Sequence, residues 1–493
     1  MSTERSNTQK LARGMSSQTL VTLINGVVEI LSFSIMSRLL SKSDFGYYAS
    51  ITAVTTIFST LSEAGIGSAI IQKKDADNNY INNAFTLSFI FGSVVSVTLF
   101  LMSGFLSEWV ADATMRVPFM LMSITLLLHC MTSVNCSMMH KKLHFLRVGV
   151  INLIATVLTT ILAVVLAYKG FGYYAIITKA IVSSILTWII SVILVHYRFR
   201  FSFKLNVYKE ILGFSGWLMA GSLLRNLSQQ IDKLMMGKLL SIEELGAYNR
   251  PKDFIANITA RFNSIFDTAL FPVLSNVQDN IASMRNAYIK SSFFLNLFGM
   301  LLCLMLFLNS SLIIRIFFGE QWMDLKPIFL IFSTYFIWNV DGRLMDCFLR
   351  SLGLTRSQFL FRTMQLVLTI IFLIVGARGG MTGVALAVVS VNAIMALTKM
   401  YYIGKQLDIK FSQALSTVFS SWKFLIYVFP ISLGVSYFTP SNWIGDSIEL
   451  GVSCLSAVVV FLLFPSIVGK LYKEELYSKI LKRIGINEKG SSL

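Results

Sequence analysis

Charge is what this sequence has least of. Asp, Glu, Lys and Arg make up only 14% of its 493 residues, well under the ~25% usual in a soluble domain. Acids are the scarcer sign, 25 against 42 bases, which leaves a net charge of +17. Cysteine is sparse too: Cys130, Cys136, Cys303, Cys347 and Cys454 lie in or beside apolar stretches and show no C-x-x-C spacing. An odd set without that spacing argues against a disulfide framework and a zinc site. Of the four histidines, His129 stands alone in an apolar run, while His140, His144 and His196 lie at loop edges without a metal-ligand partner. No metal site and no catalytic group is expected.

What the chain has in excess is apolar: 55% of its residues are hydrophobic, and they come in long blocks. Soluble enzymes, disordered scaffolds and secreted disulfide modules are excluded, and an all-α polytopic membrane protein remains. A helix needs about 20 residues to cross the hydrocarbon core. That criterion predicts fourteen spans, at roughly 15–40, 45–71, 81–107, 117–139, 145–168, 171–196, 211–240, 245–275, 288–317, 327–350, 357–376, 381–404, 423–438 and 447–469. The seventh and eighth carry several charges, and the thirteenth is short with Pro430 inside it. The first run is too long for a signal h-region and holds Asn25 and Glu29, so it reads as a retained span.

Lys and Arg sit mainly in short segments between the apolar blocks. This is a topology signal, not the footprint of nucleic acid. With the N-terminus inside, the cytoplasmic segments hold 27 of them and the opposite loops 5. Both termini are therefore expected on the cytoplasmic face of the membrane, and the basic tail at Lys470–Lys489 can meet anionic lipid headgroups. The outer loops are too short to hold a catalytic domain. A membrane glycan polymerase or ligase needs a large one.

The chain also repeats itself. Leu39, Leu40, Ser41, Gly46 and Tyr48 recur as Leu239, Leu240, Ser241, Gly246 and Tyr248, at a constant offset of 200. Cys136 and Gly172 match Cys347 and Gly383 more weakly, at an offset of 211. The unit is six helices, an even number, so the repeats are parallel and related by an axis along the membrane normal. Two six-helix bundles, 1–209 and 210–410, are expected to face each other across a central cavity, with two further helices and the tail in 411–493. This is transporter architecture.

Ionisable groups inside a membrane normally face a wet cavity or a partner. Here they fall in stripes at helical spacing. Thr22, Asn25, Glu29 and Ser32 mark the first span; Thr52, Thr56, Ser59 and Glu63 mark the second. Arg225, Ser228, Gln229 and Asp232 mark the seventh, and Arg250, Asp253, Asn257, Arg261 and Ser264 the eighth. Asp341, Arg343 and Asp346 add to the tenth. Asn25 and Glu29 map onto Arg225 and Gln229 through the repeat, so both halves offer a polar face. Arg250–Asp253 and Arg343–Asp346 also suit simple i,i+3 ion pairs. The set as a whole points to a water-filled, partly cationic cavity, with Arg225, Arg250, Arg261 and Arg343 as candidate ligands for phosphate or carboxylate.

The sequence resembles a known family at several short motifs. They are Asp44-Phe-Gly-Tyr, Glu63-Ala-Gly-Ile-Gly-Ser-Ala-Ile-Ile-Gln-Lys73, Leu245-Gly-Ala-Tyr-Asn-Arg250, Phe271-Pro-Val-Leu-Ser275, and Phe318-Gly-Glu-Gln-Trp322 before Pro327. Their order relative to the spans is similar to that in the Wzx-type polysaccharide and lipopolysaccharide flippases, the WzxC-like branch of the multidrug/oligosaccharidyl-lipid/polysaccharide exporter superfamily. The resemblance covers nearly the whole chain. It implies alternating access and an undecaprenyl-diphosphate-linked sugar as cargo, with membrane lipids and other polysaccharide assembly proteins as partners. A drug exporter of the same superfamily is the alternative, but organic cations favour an acidic, aromatic-lined pocket.

The stretch Gly376-Ala-Arg-Gly-Gly380 lacks the Lys-Ser/Thr and the strand–loop–helix context of a phosphate-binding loop. With no nucleotide-binding motif, transport is expected to run on a proton, sodium or cargo gradient and to need no cofactor. Glu29 and Glu63 are the mid-span acids without a cation in the same turn, and are the first-choice ion carriers. Pairing of either acid with Lys179 or with an arginine is the structural alternative. Asp232 and Asp267, each near a basic residue, come second.

Overall fold

The computed structural model describes residues 2–73, 75–110, 113–278, 280–438 and 443–463. These residues form sixteen α-helices and three short 3-10 turns, with no strand among them. The helices are α1 (Ser2–Leu39), α2 (Lys42–Glu63), α3 (Ile66–Gln72), α4 (Asn78–Val110), α5 (Arg116–Lys141), α6 (Phe145–Tyr168), α7 (Tyr174–Val195) and α8 (Leu205–Leu239). They continue as α9 (Ile242–Asn276), α10 (Ile281–Leu308), α11 (Ser310–Phe317), α12 (Lys326–Ser351), α13 (Thr355–Gly376), α14 (Gly380–Gln406), α15 (Phe411–Phe438) and α16 (Trp443–Leu463). The all-α reading holds.

Seven helical stretches among the described residues are long and apolar enough to cross a bilayer, and an eighth is reached if α2 and α3 are one span. One of the seven covers Arg356–Gln406, which contains both α13 and α14. Helices α8, α9 and α12, which carry several charges, are not among them. Two of the expected spans are broken. The second bends by 41° between α2 and α3, where Ala64 and Gly65 both take left-handed backbone, with φ of 46° and 68°. The ninth breaks at Asn309 into α10 and α11. The thirteenth is longer than expected: α15 begins at Phe411, well ahead of residue 423, and carries Pro430 within it. Proline is tolerated there because neighbouring groups in a membrane protein re-satisfy the freed carbonyl.

The surface is inverted relative to a soluble protein. Leu101 and Phe105 on α4 are 74% and 63% exposed, and Leu158, Ile161 and Val165 on α6 are exposed as well. Side chains of this type at these steps form lipid-facing stripes.

The helices group into two compact units. The first comprises residues 1–250, 317–321 and 366–384; the second comprises 251–316, 322–365 and 385–493. In the first, Ile51, Ala53, Leu99, Phe119, Met122, Leu126 and Ile177 form a core shared by α2, α4, α5 and α7. Helix α8 joins this unit because it packs on α2, α3 and α4. In the second, Tyr288 of α10 and Phe329, Phe332, Phe336 and Phe348 of α12 are fully buried.

The repeated turns adopt the same local structure. At the start of α2 the Asp44 carboxylate accepts from the Ser41 N–H at 2.9 Å, while the Ser41 hydroxyl accepts from the Asp44 N–H at 3.2 Å. At the start of α9, Glu244 and Ser241 make the same two bonds at 3.0 and 3.2 Å. Each is a capping box, which satisfies helix N–H groups that otherwise lack acceptors.

Candidate functional site

The first unit brings α1, α7 and the start of α9 together around a chain of polar groups. Lys179 of α7 donates to the Ser32 hydroxyl at 2.7 Å, and Glu29 and Arg250 are both close enough to act on its charge. Arg250 donates to Ser37 Oγ at 2.7 and 3.0 Å and to the Phe33 carbonyl at 2.7 Å. Its guanidinium also lies between the rings of Phe33 and Phe45, 3.4 and 3.9 Å from their centroids. Arg250 is therefore fixed in place by α1 and α2.

Glu63 has a partner that the sequence did not indicate. His129 Nδ1 of α5 stands 3.1 Å from its Oε1, with both side chains about half exposed. His129 is thus not the solitary imidazole expected from its apolar surroundings. Asp232 is buried and accepts a 2.5 Å hydrogen bond from the Tyr248 hydroxyl, which ties the end of α8 to α9. Arg225 is different. It is exposed on α8 and makes no ion pair with any described residue, while the adjacent Asn226 donates to Thr60 of α2. Gln229, one turn further on, is exposed on the same face.

Arg261 and Arg343 belong to the second unit, and both are half-buried. Arg343 lines a small recess with Asn263, Val340 and Leu344. Asn263 donates to Asn339 at 3.0 Å, and Asn339 in turn donates to the Tyr335 hydroxyl at 2.7 Å. Asp346 is held from other helices, by Lys399 of α14 at 2.8 Å and Arg362 of α13 at 4.0 Å. The side chain of Asp267 lies outside the described residues.

The sequence did not indicate Asn296 of α10, which donates to the buried Asp341 carboxylate at 2.8 Å. Its signal was there to read, as a polar residue in an apolar stretch of that helix.

Residues 35–327 match the family described as polysaccharide biosynthesis protein, well over half of the chain. The chain belongs to that family. Among its relatives, the lipopolysaccharide biosynthesis protein WzxC of Escherichia coli is 20% identical, over 80% of this chain and 81% of its own length. The teichuronic acid biosynthesis protein TuaB of Bacillus subtilis is 22% identical, over 68% of this chain and 69% of its own. Among solved structures, the lipid II flippase MurJ in an inward closed conformation aligns with a TM-score of 0.73. It shares 14% identity and covers 92% of this chain and 99% of its own. That likeness shows the fold, the arrangement of membrane helices found in MurJ. This member of the polysaccharide biosynthesis family is a bacterial membrane protein.

Proposed function

We propose that the chain carries an isoprenoid-diphosphate-linked oligosaccharide from the cytoplasmic to the periplasmic leaflet of the inner membrane. The saccharide is the repeat unit of a surface polysaccharide, and undecaprenyl diphosphate is the lipid that bears it. The reading places both termini in the cytoplasm and assigns the protein no covalent chemistry. The six-helix repeats, 1–209 and 210–410, open the path alternately to either side, with 411–493 appended.

Family membership supports this reading, and Arg225 carries it. A guanidinium on a membrane helix is costly unless something anionic accompanies it. Arg225 is exposed and unpaired among the described residues, and its planar fork suits a diphosphate bidentately. Arg261 and Arg343 add half-buried cations on α9 and α12, and Arg250 holds the α1–α2 corner against which the cargo's charge is received. The isoprenoid tail stays among the exposed leucines and isoleucines of the lipid-facing helices.

The test is Arg225→Ala and Arg261→Ala, each expressed at the wild-type level, with surface polysaccharide as the readout. Loss of one charge-assisted anion contact corresponds to a fall of roughly tenfold or more. Normal export by both variants overturns the assignment. A deletion strain that exports polysaccharide normally but becomes sensitive to organic cations points instead to a drug exporter.

A further inference from the structure

Between α7 and α8 the chain leaves helical form and lies as a strap along the first turns of α4. His196 ends α7 in left-handed backbone, with φ of 51°, and α8 begins at Leu205. The N–H groups of Arg200, Ser202 and Lys204 donate to Asn82 Oδ1 at 3.0 Å, Thr86 Oγ1 at 3.0 Å and Asn83 Oδ1 at 2.8 Å. Bonds from every second residue are the mark of an extended chain. Asn83 also donates to Ser202 Oγ at 3.0 Å, and the Tyr208 hydroxyl donates to the Ser202 carbonyl at 2.8 Å. Phe199 stacks on Phe85, with ring centroids 4.1 Å apart. The polar residues at the start of α4 thus hold the strap in one conformation.

The side chains it leaves outside are of two kinds. Arg198, Arg200 and Lys204 are exposed and form no ion pair with any described residue. The acids close by are engaged elsewhere: Glu210 pairs with Lys73, and Asp77, whose charge acts on Tyr197, accepts from the Tyr80 N–H. Beside these cations, Phe201, Phe203 and Leu205 are 61%, 71% and 68% exposed. Facing water alone, the rings forgo burial and the like charges repel. An anionic lipid surface relieves both.

The strap's place along α4 suits that surface. With 33 residues, α4 is about 50 Å long against ~30 Å of hydrocarbon, so its polar first turns from Asn78 to Asn83 stand at headgroup level. The ring of Phe201 reaches Phe89, 5.5 Å between centroids, about 10 Å further along the helix than Asn82. From there Ile90, Val94, Val97, Leu101 and Phe105 continue as the exposed apolar stripe of α4. The cations lie where lipid phosphates lie, and the phenylalanines where acyl chains begin.

We infer that residues 197–204 form a binding site for an anionic phospholipid. Its phosphate is held by Arg198, Arg200 and Lys204, and its acyl chains lie against Phe201 and Phe203. A guanidinium can meet a phosphate with two parallel hydrogen bonds, and aromatic rings favour the membrane interface. On the charge pattern of the loops, the leaflet is the cytoplasmic one.

The full chain, purified in detergent, is titrated separately with phosphatidylglycerol, zwitterionic phosphatidylethanolamine and inorganic phosphate while thermal unfolding is followed. Phosphatidylglycerol should raise the midpoint by roughly 3 °C or more, and the other two by less than half of that. In the double variant Arg198→Gln, Arg200→Gln, the half-maximal phosphatidylglycerol concentration should rise about tenfold or more. Its midpoint without lipid should stay at the wild-type value, because both side chains are exposed. Phe203→Ser should also weaken the lipid response, by roughly tenfold. The control is Lys169→Gln, Arg378→Gln, which removes the same charge from exposed positions outside the strap and should respond like the wild type.

A wild type that responds to phosphatidylethanolamine or to inorganic phosphate as strongly as to phosphatidylglycerol overturns the proposal, as does one that responds to none of them. So does an unchanged response in the strap variant, or an equal loss in the control, which would mark general charge attraction. Displacement of bound phosphatidylglycerol by an equimolar isoprenoid diphosphate assigns the strap to cargo capture and overturns it too. The titration with phospholipid uses no cargo, so its failure leaves the transport reading standing.

Discussion

Gly46 and Gly246, equivalent positions of the internal repeat, each lie against the start of the other's helix. A β-carbon on Gly46 would fall 1.9 Å from the Ile242 carbonyl oxygen, and one on Gly246 would fall 1.8 Å from that of Lys42. The atoms in the way belong to the backbone, so no side-chain rotation relieves the clash. The first turns of α2 and α9 pack backbone against backbone.

Gly46→Ala and Gly246→Ala should therefore each destabilise the protein by about 2–3 kcal/mol, as overpacking of a tight contact does. Thermal unfolding of the purified variants measures this. Gly213→Ala, on α8 where a β-carbon meets nothing within 4 Å, is the control and should be near neutral or slightly stabilising.

Arg250→Lys should not restore what Arg250→Ala loses. A lysine keeps the charge but gives up the stacking between Phe33 and Phe45 and one of the two directions in which the guanidinium donates. A deficit of about 1–2 kcal/mol in unfolding stability is expected for the lysine variant. A purely cargo-binding arginine would show no such deficit.

Arg315 of α11 and Asp446 of α16 form a buried ion pair at 2.7 Å, with side-chain exposures of 10% and 7%. Removing either partner alone leaves a charge in a place without water, so Asp446→Ala should cost about 3–5 kcal/mol. The double variant Arg315→Met, Asp446→Leu should recover most of that loss. Denaturation midpoints of Arg315→Met, Asp446→Leu and the double variant complete the cycle.

Glu63→Gln should loosen α2 from α5, because an amide cannot form the ion pair with His129. The penalty for that half-exposed contact is expected to be under about 1 kcal/mol. Thermal unfolding of the purified variant checks it.

Hydropathy located the spans because a run of about 20 apolar residues is a local property. It could not locate the bend in the second span, since Ala64 is a strong helix former and only its neighbour Gly65 hints at a left-handed turn. Polar stripes were legible for the same reason as the spans, since spacing of three or four residues defines a face. Their partners were not. Whether Glu63 meets Lys179 or His129 depends on the rotation of α2 and on which helix packs beside it, and neither is encoded at short range. Asp341 shows the same limit: its neighbour Asn296 comes from α10, and the sequence pattern of α12 alone suggests a pairing with nearby arginines.

The bend at Ala64 and Gly65 divides the allegiance of the second span. Its first portion, α2, is locked at Gly46 against the start of α9. Its second portion, α3, is tethered by its end to α5, because Lys141 donates to the carbonyls of Ile70 and Lys73. The two left-handed residues between them let the chain leave the axis of α2 by 41° and stay helical on either side. Span two is a rod with an elbow, set one residue beyond Glu63.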